Sequence, residues 1–152
     1  MMTAAPPTAL PYSESLTFGG STFTTYDLGG HDQARVVWRT YFPVADAIVF
    51  LVDLTDVERM AKARKELQGL LQDENISSVP IAVLANKIDC HDKAISEGEF
   101  LCYFGLYGQT TGKKTRQQCE QEGTRPLEVF MCSVLKGQGY GQAFRWLLNH
   151  VN

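Results

Sequence analysis

The sequence predicts an α/β fold, because three short apolar runs alternate with two segments of helical periodicity. The runs are AIVFLV at residues 47–52, IAVLA at 81–85 and LEVFM at 127–131. Each run is mostly apolar and is bounded by polar residues, which is typical of strands that are covered on both faces. Strands of this kind belong to a parallel sheet.

Two amphipathic helices are predicted around these strands. The first covers residues 55–73, where Thr55 followed by Glu58 predicts a capping box at the start. The second follows Gly139 and Gly141 near the end of the chain. The apolar faces consist of Met60, Ala63, Leu67, Leu70 and Leu71 in the first helix, and of Phe144, Leu147, Leu148 and Val151 in the second.

Residues 15–30, SLTFGGSTFTTYDLGG, predict a β-hairpin ahead of the parallel strands. The dipeptide Gly19-Gly20 separates two runs of strand-forming residues, and paired glycines supply the positive φ of a tight turn. The first dozen residues are rich in Pro, Ala and Thr and are expected to form a loop. At 152 residues, the whole chain is expected to form a single domain.

Composition and charge argue against several classes of function. A net charge of −3 gives no electrostatic case for non-specific binding of nucleic acid, so no nucleic-acid partner is expected. The four cysteines never occur in C-x-x-C spacing and the three histidines are scattered, which argues against zinc and redox sites. No apolar run approaches the roughly 20 residues that span a bilayer, and the first residues lack the pattern of a signal peptide.

The candidate chemistry lies at the carboxyl ends of the predicted strands, where ligands bind in open α/β sheets. Asp27 ends a strand in YDLGGHDQ, and the glycines after it allow the Gly30 amide to approach a phosphate. The Asp27 carboxylate suits a water held on Mg²⁺, and His31 suits orientation of a water for phosphate hydrolysis. The alternative is a plain strand, a turn and an exposed polar residue, and this segment alone does not separate the two.

The segment ANKID follows the run at 81–85 and offers a guanine site through Asn86, Lys87 and Asp89. A carboxylate only accepts hydrogen bonds, so Asp89 matches the N1–H and exocyclic amine of guanine, a donor pair that adenine lacks. The aliphatic stem of Lys87 can lie over the purine face, and the Asn86 side chain can link neighbouring loops. Residues 131–136, MCSVLK, form either a loop whose amides bond the guanine carbonyl or a simple strand-to-helix connection.

Residues 108–114, GQTTGKK, do not fit a phosphate-binding loop, although they contain the chain's single Gly-Lys pair. In the pattern G-x-x-x-x-G-K-[ST], Tyr107 takes the place of the first glycine and Lys114 that of the hydroxyl residue. The segment is therefore predicted to be a surface loop.

Together these segments resemble the small GTPases of the Arf and Sar group, and within it the secretion-associated Ras-related (Sar-type) branch. The resemblance rests on FTTYDLGGHDQAR, IVFLVD, NKID, FGLYGQTTGK and EVFMCSVLKGQGYGQAFRWL, and it extends from about Pro7 to the end of the chain. It implies the small-GTPase fold of the P-loop NTPases, a doubly wound, mostly parallel sheet with helices on both faces.

The resemblance also implies a switch that binds GTP and GDP and hydrolyses GTP, with Mg²⁺ as cofactor. By position, Thr8 and Asp27 would be the Mg²⁺ ligands, Gly30 would bond the γ-phosphate, and His31 would position the attacking water. Residues 1–14 would be a loop and a remnant of the first switch segment. The guanine base would be read by Asn86, Lys87 and Asp89, assisted by Val134 and Leu135.

In the family, an amphipathic membrane helix, the first strand, the phosphate-binding loop and the first helix precede the switch threonine, whereas seven residues precede Thr8. A strand, loop and helix need roughly 30 residues in such a unit. The sequence therefore predicts a domain without its first strand, first helix and phosphate clamp. Weak nucleotide binding and no direct membrane insertion are expected to follow.

The function that the resemblance implies is initiation of COPII coat assembly in transport from the endoplasmic reticulum to the Golgi. COPII inner-coat proteins and a guanine-nucleotide exchange factor would be the partners, and the location would be cytoplasmic and peripheral at these membranes. One alternative is a shortened relative that binds proteins but not nucleotide. Another is an Arf-type relative acting elsewhere, which His31 and the insertion FGLYGQTTGK disfavour.

Overall fold

In the computed structural model of the chain, the described residues are 13–18, 21–26, 38–90, 94–111 and 116–151. They fall into two compact units, which divide between Asp46 and Ala47. No helix in these ranges is both long enough and apolar enough to cross a bilayer.

The first unit contains the predicted β-hairpin. Strand β1 (Ser13–Phe18) pairs antiparallel with strand β2 (Ser21–Tyr26), and Phe18 lies opposite Ser21. This register leaves two residues for the connection, as the Gly19-Gly20 dipeptide predicts. The hairpin is confirmed, with β1 beginning at Ser13 rather than Ser15. Residues 38–41 are helical, and a 3₁₀ turn follows at Phe42–Val44.

The second unit is built on a three-stranded parallel sheet. Strands β3 (Ile48–Asp53), β4 (Ile81–Asn86) and β5 (Leu127–Met131) lie in the order β3-β4-β5. The central strand β4 is buried from Ile81 to Ala85, because both of its edges are paired and helices pack on the sheet. The three predicted strands and their parallel direction are confirmed.

Helix α1 (Val57–Gln72) connects β3 to β4 and packs against β3. Its predicted apolar face is confirmed at Met60, Leu67 and Leu70, which are buried, while Ala63 and Leu71 are partly exposed. Burial of this one stripe of side chains is what holds the helix on the sheet.

The predicted capping box at the start of α1 is wrong. Asp56, not Thr55, is the N-cap residue, and its carboxylate accepts a hydrogen bond from the Arg59 amide at 3.3 Å. The Thr55 hydroxyl instead donates to the Asp53 carboxylate at 2.7 Å. A contact with the end of β3 therefore takes the side chain that the local pattern assigns to the helix.

Two short helices, α2 (Glu97–Tyr103) and α3 (Arg116–Glu122), lie in the connection between β4 and β5. Of the predicted surface loop at 108–114, residues 108 and 109 are exposed, and residues 112–114 lie outside the described residues. The Thr111 amide then donates to the Leu127 carbonyl at 2.8 Å, which ties the loop to the start of β5.

Helix α4 (Tyr140–His150) follows β5 and packs against β4 and β5. Phe144 and Leu147 of its predicted apolar face are buried and Leu148 is partly exposed. Val151 lies just beyond the last helical residue, so the predicted helix is one residue too long.

Candidate functional site

The carboxyl ends of β3, β4 and β5 carry polar residues that meet at one edge of the sheet. The parallel register places Asp53 opposite Asn86 and Ala85 opposite Met131, so the segments that follow the strands lie side by side. We call residues 53–55, 86–90 and 132–138 the strand-end cluster. Side-chain contacts join its segments.

Asn86, the last residue of β4, joins the cluster to both neighbouring segments. Its Oδ1 accepts a hydrogen bond from the Val134 amide at 3.0 Å, and its carbonyl accepts one from the Leu54 amide at 3.1 Å. The thiol of Cys132 lies 3.9 Å from the same Oδ1. Burial raises the pKa of Cys132 to about 11, so this neighbour is an uncharged thiol at neutral pH.

Lys87 has an uncommon backbone conformation that its neighbours hold in place. Its φ is 77°, in the left-handed region that costs a residue other than glycine about 1–2 kcal/mol. The Lys87 carbonyl accepts from the Cys90 amide at 3.0 Å, and the Ile88 amide donates to the Cys132 carbonyl at 3.2 Å. The Lys87 ammonium donates to Oδ2 of Asp53 at 2.7 Å.

The contact between Lys87 and Asp53 favours the charged form of both groups. Partial burial raises the pKa of Asp53, but hydrogen bonds from Lys87 and Thr55 outweigh it, so the pKa lies below its ordinary value of 3.8. The hydrogen bond to Asp53 raises the pKa of Lys87 above 10.5. Because the two side chains are 47% and 35% exposed, this ion pair stabilises the fold by at most about 1 kcal/mol. Its larger effect is to restrict the Lys87 side chain.

Asp89 presents an ionised carboxylate that a buried serine orients. The Ser133 hydroxyl donates to Oδ1 of Asp89 at 2.7 Å, and Ser133 has no exposed surface. This hydrogen bond lowers the pKa of Asp89, so the carboxylate acts only as an acceptor at neutral pH. Among the described residues, Oδ2 is contacted by the Cys90 thiol at 3.9 Å, a weak donor. The carboxylate thus retains acceptor capacity for a ligand.

The segment after β5 is a tight loop whose amides have different partners. Ser133 and Gln138 exchange two backbone hydrogen bonds of 2.9 Å, which closes residues 133–138 into a loop. The Val134 amide is engaged by Asn86. Within the part of the chain that the structure describes, the Leu135 amide donates no hydrogen bond, and the residue is 83% exposed. Leu135 therefore offers a backbone donor to a ligand.

Five of the predicted site residues lie in the strand-end cluster, and four lie outside the described residues. The four are Thr8, Asp27, Gly30 and His31. The two predicted Mg²⁺ ligands are among them. Within the described ranges, no group of three His, Cys, Asp or Glu side chains is arranged to hold a metal ion. The five in the cluster are Asn86, Lys87, Asp89, Val134 and Leu135.

No role is predicted from the sequence for Asp53 or Ser133, which form contacts between segments of the cluster. The sequence position of Asp53 could have identified it, because Asp53 follows the first apolar run just as Asn86 follows the second. The position of Ser133 is less informative, since a serine in a strand-to-helix loop is common. Their partners, 34 and 44 residues away in the chain, appear only once the strands are paired.

The sequence pattern that defines Arf, the ADP-ribosylation factor family, matches residues 1–151 of the chain. The chain belongs to the ADP-ribosylation factor family. One relative, the small COPII coat GTPase SAR1 of Giardia intestinalis, is 40% identical over 149 residues, which cover 98% of this chain and 76% of the relative. The small COPII coat GTPase SAR1 of Nicotiana tabacum is 35% identical over 148 residues, covering 95% and 75%.

A solved member of the small GTPases has the same fold. The structure of the Arl6 BBS3 small GTPase from Trypanosoma brucei, with the bound nucleotide analogue GppNp, matches with a TM-score of 0.74 and 28% identity. The match covers 97% of this Arf-family chain and 81% of the other chain. The small-GTPase fold and the resemblance to the Arf and Sar group are therefore confirmed.

Proposed function

We propose that this Arf-family chain is a guanine-nucleotide switch that binds GTP and GDP, hydrolyses GTP and initiates COPII coat assembly. The observation that supports it most directly is the carboxylate of Asp89, which is ionised, oriented by Ser133 and set in the strand-end cluster. A position that must accept two hydrogen bonds from a guanine ring needs a carboxylate held in this way.

The rest of the cluster matches the other edges of guanine. The Leu135 amide would donate to the guanine carbonyl, which adenine lacks. The Lys87 stem would cover one face of the ring, because its ammonium is held at Asp53 and its carbon chain is apolar. Asn86 would keep the loops at the required spacing through its bond to Val134.

The phosphate-binding and metal-binding residues are proposed from the sequence alone. Thr8 and Asp27 supply a hydroxyl and a carboxylate, hard oxygen ligands that suit Mg²⁺, and bound Mg²⁺ would neutralise phosphate charge. The Gly30 amide would bond the terminal phosphate, and His31 would orient the attacking water.

The cellular role is proposed from the two SAR1 relatives, whose names describe COPII coat GTPases. By that analogy the partners are COPII inner-coat proteins and a guanine-nucleotide exchange factor. The place of action would be the cytoplasmic side of endoplasmic reticulum and Golgi membranes.

Isothermal titration with nucleoside diphosphates tests the guanine site. Asp89→Asn should weaken GDP binding by about 10- to 100-fold, since it removes the acceptor pair for the two guanine donors. The same change should improve binding of xanthosine diphosphate, because an amide can donate to the oxygen that xanthine carries in place of the amine. Asp56→Asn is the matched control, because the Asp56 carboxylate caps α1 through Arg59 and lies outside the strand-end cluster.

An unchanged preference for GDP in Asp89→Asn would disprove the base-reading role of Asp89. A folded wild-type chain that binds no guanine nucleotide but does bind a COPII inner-coat protein would instead support the nucleotide-independent binding module.

A further inference from the structure

We infer that Asp53 is a positioning residue for the proposed guanine site, and that its carboxylate holds the Lys87 side chain in the place from which it covers the base. The inference depends on the proposed function for its ligand. Its structural basis is the contact of 2.7 Å between Oδ2 of Asp53 and the Lys87 ammonium.

Asp53 is itself held by its own segment. Its Oδ1 accepts from the Thr55 amide at 2.8 Å and from the Thr55 hydroxyl at 2.7 Å. With one carboxylate oxygen fixed twice, the other oxygen points in a defined direction, and Lys87 binds there. The carboxylate therefore acts as a fixed anchor for Lys87.

Lys87 needs such an anchor more than its neighbours do. Asn86 and Asp89 on either side of it are short side chains fixed by Val134 and Ser133 of the loop after β5. A lysine side chain has four rotatable bonds, and fixing it on binding carries one of the larger entropy losses among side chains. A lysine that is already fixed by Asp53 avoids much of that loss when a base arrives.

The contrasting interpretation is that the ion pair only stabilises the fold. A pair of this exposure contributes little to stability, and that role predicts no change in nucleotide affinity. A double-mutant cycle separates the two interpretations, because a residue that acts through Lys87 has no effect once Lys87 is shortened to an uncharged side chain.

The experiment compares wild type, Asp53→Asn, Lys87→Met and the double variant by isothermal titration with GDP and with a non-hydrolysable GTP analogue. Asparagine keeps an oxygen for Thr55 and removes the charge that holds Lys87. Asp53→Asn should weaken the binding of both nucleotides equally, by about three- to tenfold. The double variant should bind no more weakly than Lys87→Met. Asp56→Asn removes a nearby negative charge that is not hydrogen-bonded to Lys87. Its affinity for both nucleotides should stay within about twofold of wild type.

Three results would overturn the inference: an effect of Asp53→Asn below about twofold, additive effects in the double variant, or an equal loss in Asp56→Asn. If the wild type binds no guanine nucleotide, the proposed function fails separately. In that case, an NMR pH titration of the Lys87 ¹³Cε signal in the same proteins tests whether Asp53 anchors Lys87. A larger fall in the pKa of Lys87 in Asp53→Asn than in Asp56→Asn upholds the anchor, and equal values reject it.

Discussion

At the scale of single residues, the strand-end cluster depends on side chains that meet across segments. Ser133 is buried and donates to Asp89, and this one bond both orients the carboxylate and lowers its pKa. Because the pKa of Asp89 is lower in the folded chain than its ordinary value of 3.8, the ionised carboxylate stabilises the fold. This stabilisation is fully present at pH values above 3.8. That contribution disappears as the pH falls through the lower folded pKa.

Ser133→Ala should therefore lower the free energy of unfolding most at neutral pH. The difference from wild type, called the gap below, should narrow below about pH 4. The reason is that the lost hydrogen bond favours the ionised form of Asp89. Urea unfolding at a series of pH values measures the gap. Ser78→Ala, at an exposed position, should show a small gap that does not change with pH. A gap for Ser133→Ala that is constant down to the lowest pH would contradict the prediction.

At the scale of elements, two four-residue patterns of the same kind form different hydrogen bonds in the structure. Ser96 and Glu99 form a complete capping box at the start of α2, with hydrogen bonds of 3.2 and 3.1 Å. Thr55 and Glu58 do not, because Asp53 takes the Thr55 hydroxyl and Asp56 caps the helix. The pattern predicts a helix start in both places, but a strand end close by decides which residue caps it.

Two glycines lie in opposite environments and should respond oppositely to alanine. Gly139 has a φ of 83°, and a Cβ there would lie 2.4 Å from the Met131 carbonyl oxygen. Gly139→Ala should cost at least about 2 kcal/mol of unfolding free energy. Gly69 lies in α1 with nothing within 4 Å of an added Cβ. Gly69→Ala should stabilise by about 0.5–1 kcal/mol.

Urea unfolding of both variants beside wild type checks this pair of predictions. A neutral Gly139→Ala would mean that the turn between β5 and α4 tolerates a side chain, contrary to the geometry. A destabilising Gly69→Ala would mean that the exposed face of α1 has a neighbour at this position.

At the scale of the whole molecule, ligand binding and stability are linked. A nucleotide that binds the folded chain alone stabilises it by about 2.7 kcal/mol at a concentration 100 times its Kd. For a chain of this size that corresponds to roughly 5–10 °C in Tm. We expect GDP with Mg²⁺ to raise the Tm and ADP at the same concentration to leave it unchanged, as measured by differential scanning fluorimetry. Equal shifts for both nucleotides would contradict guanine recognition through Asp89.

Local patterns in the sequence predict the hairpin, the parallel strands, the two long helices and the types of residue at the site. Short apolar runs bounded by polar residues identified β3, β4 and β5, and helical periodicity identified both long helices, because these patterns report which faces of an element are buried. The paired glycines predicted the hairpin in the same local way. The position of Asn86, Lys87 and Asp89 after a buried strand indicated a ligand site.

The hydrogen-bond partners of these residues follow from the pairing of the strands. Lys87 bonds Asp53, Asp89 bonds Ser133, and Val134 rather than Leu135 donates to Asn86. These contacts join positions 34 to 48 residues apart in the chain. Local periodicity carries no information about such pairs, because strand order and register set which loop ends lie within hydrogen-bonding distance.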